Sequence, residues 1–188
     1  MRVPRTHQVA LVFWVLLTLT LMALYAVNPR LASPEGLVDA LRQSGGPVLL
    51  GYIVLSIVRA FTLIPSTVLI VVGTLLFPDR PWFVMASSLI GIVASAVLVY
   101  FFFEFLGLTA LFERRHKRRV RWLENQMHRK GFWIVVAWSA FPFVPTDIIC
   151  YVAGTLRMNV WIFLSGVALG ELPLVTFYVL LGGVLFAS

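Results

Sequence analysis

Arg59-Ala60-Phe61-Thr62-Leu63-Ile64-Pro65 and Ser139-Ala140-Phe141-Pro142-Phe143-Val144-Pro145-Thr146-Asp147 interrupt two long apolar segments at corresponding places. Inside a bilayer no water satisfies a freed backbone N–H or C=O, so a broken helix survives only where protein or a wet cavity surrounds it. A broken segment repeated in both halves of a chain points to a transporter's binding site. The function is sought there.

The surrounding composition fixes the class. Of 188 residues 60% are hydrophobic and 12% charged, with mean hydropathy +0.94, whereas soluble domains carry about 25% charged residues. An integral membrane protein is expected, with no room for a soluble catalytic domain. Cys150 is the sole cysteine, which excludes an intramolecular disulfide framework and a cysteine-rich metal site. The pI near 10.3 has a local origin: residues 113–130 hold eight Lys/Arg against Glu113 and Glu124, six of the seven net positive charges. Between apolar segments such a stretch is first a cytoplasmic topology signal, so no nucleic-acid partner is expected.

Five apolar blocks follow along the chain. Gln8–Val27 has the length of one spanning helix and reads as retained, since Ala32-Ser33 before Pro34 is a poor signal-peptide cleavage context. Residues 28–46 hold a short helix opening on Ser33-Pro34, ending at Gly45-Gly46 and expected to be exposed. Residues 1–46 thus form a first helix with an extracytoplasmic segment, and residues 47–187 a membrane domain. That domain divides into a broken segment 47–77, a helix 81–108, a basic cytoplasmic loop 112–131, a second broken segment 132–156 and a helix 159–186.

The halves align weakly but in order. Pro65-Ser66-Thr67 matches Pro145-Thr146-Asp147, Trp82 and Gly91 match Trp161 and Gly170 at identical spacing, and Tyr100 falls beside Tyr178. Residues 47–77 are long for one span and short for two, which need about 40 residues. If each broken segment enters and returns to the same side, the N-terminus and the basic loop are cytoplasmic and Ser188 is outside. The expected fold is an all-α membrane protein, an inverted repeat with two re-entrant hairpins plus transmembrane helices. Five plain spans also place the basic loop inside, but reverse both ends.

Leu63-Ile64-Pro65-Ser66-Thr67-Val68-Leu69-Ile70-Val71-Val72-Gly73-Thr74-Leu75-Leu76-Phe77, then Phe141-Pro142-Phe143-Val144-Pro145-Thr146-Asp147 and Tyr151-Val152-Ala153-Gly154, resemble the DedA superfamily, most closely its SNARE-associated Golgi or VTT-domain branch. The similarity spans roughly residues 47–185. It implies two inverted hairpins flanked by membrane helices, and movement of phospholipid or polyprenyl-phosphate lipid between leaflets, as a flippase or scramblase. A bacterial inner membrane is the expected location. The chain departs in one place: members commonly carry Arg three residues before the first proline of Pro-x-x-Pro, where this chain has Ser139. Arg59 stands six residues before Pro65, as Ser139 does before Pro145, so the first half supplies the arginine instead.

Arg59, Asp147 and Glu171 should lie deep, where each charge costs at least about 2.5–3.5 kcal/mol. They must face each other or water. One cation against two acids leaves either a further cation or a proton, which makes Asp147 or Glu171 a candidate proton carrier. Arg59 and Asp147 are expected to pair across the hairpins. Glu104 lies near the end of its block and belongs to the pathway or snorkels to the surface. Pro65, Pro142 and Pro145 free backbone groups that are candidate ligands for a headgroup. Arg114, Arg115, Lys117, Arg118, Arg119 and Arg121 form a candidate surface for anionic lipid, and Val120, Leu123 and Met127 would let that segment lie on the membrane. Gly73, Gly154, Gly166 and Gly170 suit close helix packing.

No enzyme and no cofactor are expected. His7, His116 and His128 all lie outside the apolar blocks, which disfavours Ser–His and His-based zinc chemistry, and no Gly-rich phosphate loop is present. Three functions remain: a lipid transporter, a proton-coupled small-solute carrier or channel, and a non-transporting assembly factor.

Overall fold

The computed structural model describes residues 5–62, 64–106, 125, 127, 129–141 and 146–186, and all regular structure among them is helical. The elements are α1 (Arg5–Val27), a 3-10 turn (Pro29–Ala32), α2 (Pro34–Gln43), α3 (Val48–Thr62), α4 (Ser66–Leu76), α5 (Pro81–Leu106), α6 (residues 129–139), α7 (Thr146–Thr155) and α8 (Val160–Phe186). Val9–Val27, Pro81–Phe105 and Val160–Gly182 are long and apolar enough to cross a membrane. Trp82 and Trp161, at the starts of α5 and α8, are each 76% exposed, as interfacial anchors are.

Both interruptions are real helix breaks. Pro65 cannot donate to the preceding turn and biases Ile64 to extended backbone, so α3 ends at Thr62 and α4 restarts after Pro65, whose φ and ψ are −59° and 144°. The chain then doubles back. Tyr52, near the start of α3, meets Phe77, at the end of α4, with ring centroids 6.1 Å apart; a straight helix would separate them by about 37 Å at 1.5 Å per residue. The second pair behaves alike, because a Cβ on Gly131 in α6 would touch Met158, just past α7. That end of α7 is a Schellman turn: Arg157 N–H bonds Gly154 O, Met158 N–H bonds Ala153 O, and Arg157 takes a φ of 50°, where glycine is usual.

α5 is the central helix, packed against α3, α7 and α8. It runs antiparallel to α8, since Tyr100 stacks on Phe163 at 5.4 Å while Thr176 Oγ1 reaches Met85 Sδ at 3.6 Å. It also runs antiparallel to α1: Trp14 packs on Phe103 near the end of α5, and Tyr25 joins the cluster of Tyr52 and Phe77, where Phe77 meets Phe83 near its start. Close approach uses small residues. A side chain on Gly154 would strike the Tyr100 backbone, and one on Gly170 would come within 2.6 Å of Val136 O and 2.7 Å of Ser139 Cβ.

Two expectations change. α2 begins as read, with Ser33 Oγ accepting the Gly36 N–H at 3.1 Å, but it is not wholly exposed: its apolar positions Leu37 and Val38 are buried in a cluster with Leu69 and Val72, because amphipathic spacing gives it one face to bury. The stretch 129–131 is helix rather than loop, and Met127 is buried in the main core instead of lying on a membrane surface. Arg114, Arg115, Lys117, Arg118, Arg119, Arg121, Val120 and Leu123 lie outside the described residues, as do Pro142 and Pro145.

Candidate functional site

The broken helices deliver charge to one place. Arg59 occupies the last turn of α3 and Asp147 the first turn of α7, so each side chain complements the dipole of the helix that carries it. Arg59 Nη1 stands 3.4 Å from Asp147 Oδ1, and the two side chains are only 3% and 9% exposed. The contact joins the first half of the chain to the second.

Glu171 enters from the middle of α8 and is completely buried. Thr146, the first residue of α7, donates its hydroxyl to Glu171 Oε1. Glu171 Oε2 has no hydrogen-bond partner among the described residues. Pro173, inside α8, removes the donor that would close on the Leu169 carbonyl, which loosens the helix at the turn holding Glu171. Cys150 Sγ lies 3.3 Å from the Thr146 carbonyl, filling the turn above. Ser139, where the resembling family carries arginine, is fully buried, and its Oγ also has no partner among the described residues.

The other described candidates are less buried. Pro65, at the break, is exposed, and its carbonyl accepts the Val68 N–H at 3.2 Å. Glu104 is half-buried, beside Tyr100. Tyr100 donates to the Met158 carbonyl, beyond the end of α7, and Phe103, the neighbour of Glu104, packs on Tyr151 of α7 at 4.4 Å. No three His, Cys, Asp or Glu among the described residues come together as a metal site.

Sequence reasoning missed Thr146, Pro173 and a polar stripe on α3. The stripe was visible: Tyr52, Ser56 and Arg59 are spaced i, i+4, i+7 on one face of an otherwise apolar helix. Tyr52, fully buried, shares a 3.0 Å hydrogen bond with Ser88 of α5.

A model of the VTT domain matches residues 64–184, opening at Ile64 so that α1, α2 and α3, with Arg59, lie outside it, a shorter span than the resemblance suggested. No curated protein and no solved structure matches the chain. With nearly two thirds of its length matched, and three helices long and apolar enough to span a bilayer, the chain is an integral membrane protein of the VTT-domain family, the domain of the DedA and SNARE-associated Golgi proteins.

Proposed function

We propose that the chain moves lipids with anionic headgroups, phospholipid or polyprenyl phosphate, between the leaflets of a membrane, with Arg59, Asp147 and Glu171 as its working centre. The observation that carries this reading is the buried meeting of one cation and two acids between two doubled-back helix pairs. Keeping an ionised carboxylate out of water costs several kcal/mol unless its oxygens are satisfied. Glu171 has one oxygen engaged and one without a partner among the described residues, the situation of a group that takes a proton or a ligand during its cycle. Proton exchange at Glu171 or Asp147 is the coupling step in this reading.

The topology we infer is the inverted repeat: the pairs α3–α4 and α6–α7 as re-entrant hairpins, the N-terminus and basic segment cytoplasmic, and Ser188 outside, in a bacterial inner membrane. The supporting geometry is the antiparallel run of α5 against both α1 and α8; in five plain spans, the first, third and fifth would run parallel. The packing is also reciprocal. Gly91 of α5 faces Ser56 of α3, and its counterpart Gly170 of α8 faces Val136 and Ser139 of α6.

Exchange of a fluorescent lipid by purified protein in liposomes tests the function across roughly pH 5.5 to 8.5. Exchange that varies with pH, and loses that dependence in Asp147→Asn or Glu171→Gln, supports a coupled transporter. Solute flux without lipid movement would favour the carrier reading, and neither activity would favour an assembly factor.

A further inference from the structure

The two legs of the second helix pair meet at one end of the molecule and bring cations with them. A Cβ on Gly131 of α6 would lie 2.9 Å from Met158 Cε, so Arg129 and Lys130 stand beside the end of α7, where Arg157 follows. All three are exposed. Tyr100 lies within electrostatic reach of both Arg157 and the half-buried Glu104. The patch therefore sets three cations against one acid among the described residues.

Exposed tryptophans frame these cations. Arg129 stands four residues before Trp133, on one face of α6, and Arg157 four before Trp161; the two indoles are 68% and 76% exposed. α8 runs parallel to α6, since a Cβ on Gly166 would touch Val135 and one on Gly170 would touch Val136 and Ser139, so both indoles flank the same end. Indoles so placed sit at headgroup level in a bilayer, which puts the cations where lipid phosphates are. Arg157 is the most specific element, because its φ of 50° lies where glycine is usual and a side chain is costly. A topology signal needs only positive charge, and the dipole of α7 only a cation near its end; a neighbouring position with ordinary backbone would serve both. A side chain kept there at a cost points to a use for its head group.

We propose that Arg129, Lys130 and Arg157, framed by Trp133 and Trp161, form a docking surface for the headgroup of an anionic phospholipid. A guanidinium holds a phosphate through two parallel N–H groups, and each further basic side chain near an anionic leaflet adds attraction. The surface lies about 15 Å along α7 from Asp147. It is thus separate from the Arg59–Asp147 centre, and it stands whether or not the protein moves the lipid it holds.

Native mass spectrometry of the intact protein, released from micelles holding equal amounts of phosphatidylglycerol and phosphatidylcholine, counts the lipids retained and needs no transport activity. Phosphatidylglycerol should be retained at least several-fold over phosphatidylcholine. Arg157→Gly should lower that preference several-fold in a protein at least as stable as the wild type, Arg157→Lys should keep it, and Arg129→Gln with Lys130→Gln should lower it likewise. Arg80→Gln removes one charge just ahead of α5, at the other end of that helix from Tyr100, and should leave the preference unchanged. Equal retention of the two lipids by the wild type overturns the proposal, as does a preference that survives Arg157→Gly or falls as far in Arg80→Gln. Displacement of phosphatidylglycerol by an equal concentration of inorganic phosphate overturns it too, in favour of a soluble anion. A protein that retains phosphatidylglycerol as expected but exchanges no lipid keeps this surface and loses the transport reading, so the two failures are distinct.

Discussion

Replacing Arg59 by Met, Asp147 by Leu, and both together, measures what the buried pair does for the fold. At 3.4 Å and an effective dielectric of about 20 the attraction is about 5 kcal/mol, set against a desolvation penalty of several kcal/mol per ion. The net value of the pair against apolar residues is therefore small. Losing one partner is different, because a charge stays buried without its counter-ion; each single substitution should lower the unfolding free energy by about 3–5 kcal/mol. The double substitution leaves neither member of the pair without the other, and with Glu171 free to take a proton it should lie within about 1 kcal/mol of the wild type, or above it. Equilibrium unfolding in mixed micelles with increasing SDS measures all four proteins. The expected coupling is large and favourable, so that the two single losses far exceed the double. If the double mutant loses the sum of the singles, Arg59 and Asp147 act independently and the pairing across the halves is wrong. Lipid exchange should be lost in all three variants, including the stable double mutant, because function needs the charges and stability does not.

Further outcomes follow from the same geometry. Gly154→Val would drive a side chain into the Tyr100 backbone and should cost at least about 1–3 kcal/mol by the same unfolding measurement, since a backbone cannot yield as a flexible side chain does. Arg157→Gly should stabilise the protein by about 1 kcal/mol by relieving its φ of 50°, with a raised unfolding midpoint as the readout. Reporter fusions at each terminus should find the N-terminus cytoplasmic and Ser188 outside; the reverse at both ends would restore five plain spans.

The breaks, the membrane class and the burial of Arg59, Asp147 and Glu171 were legible because each rests on a local rule: proline removes a donor, and a charge among apolar residues must be enclosed by protein. The pairing of Arg59 with Asp147 followed from charge balance alone. The partner of Glu171 did not. Thr146 is an ordinary residue in a membrane helix, and only the tertiary fold, which brings the first residue of α7 to Glu171, turns its hydroxyl toward the carboxyl. Burial of Leu37 and Val38 also escaped, because ten amphipathic residues between two apolar blocks read equally as a solvated surface helix, and packing against α4 decides between them. Pro65 was read as freeing the carbonyls upstream of it; its own carbonyl is a different group, which accepts the Val68 N–H at 3.2 Å.

The most direct test of the central claim is lipid exchange by the purified protein in liposomes, with fluorescent lipids bearing phosphate, phosphatidylglycerol, phosphatidylethanolamine and phosphatidylcholine headgroups. Rapid exchange favouring the anionic headgroups, absent from protein-free liposomes and from Asp147→Leu, is the predicted result. Wild-type liposomes that exchange none of the four lipids faster than protein-free controls would contradict it.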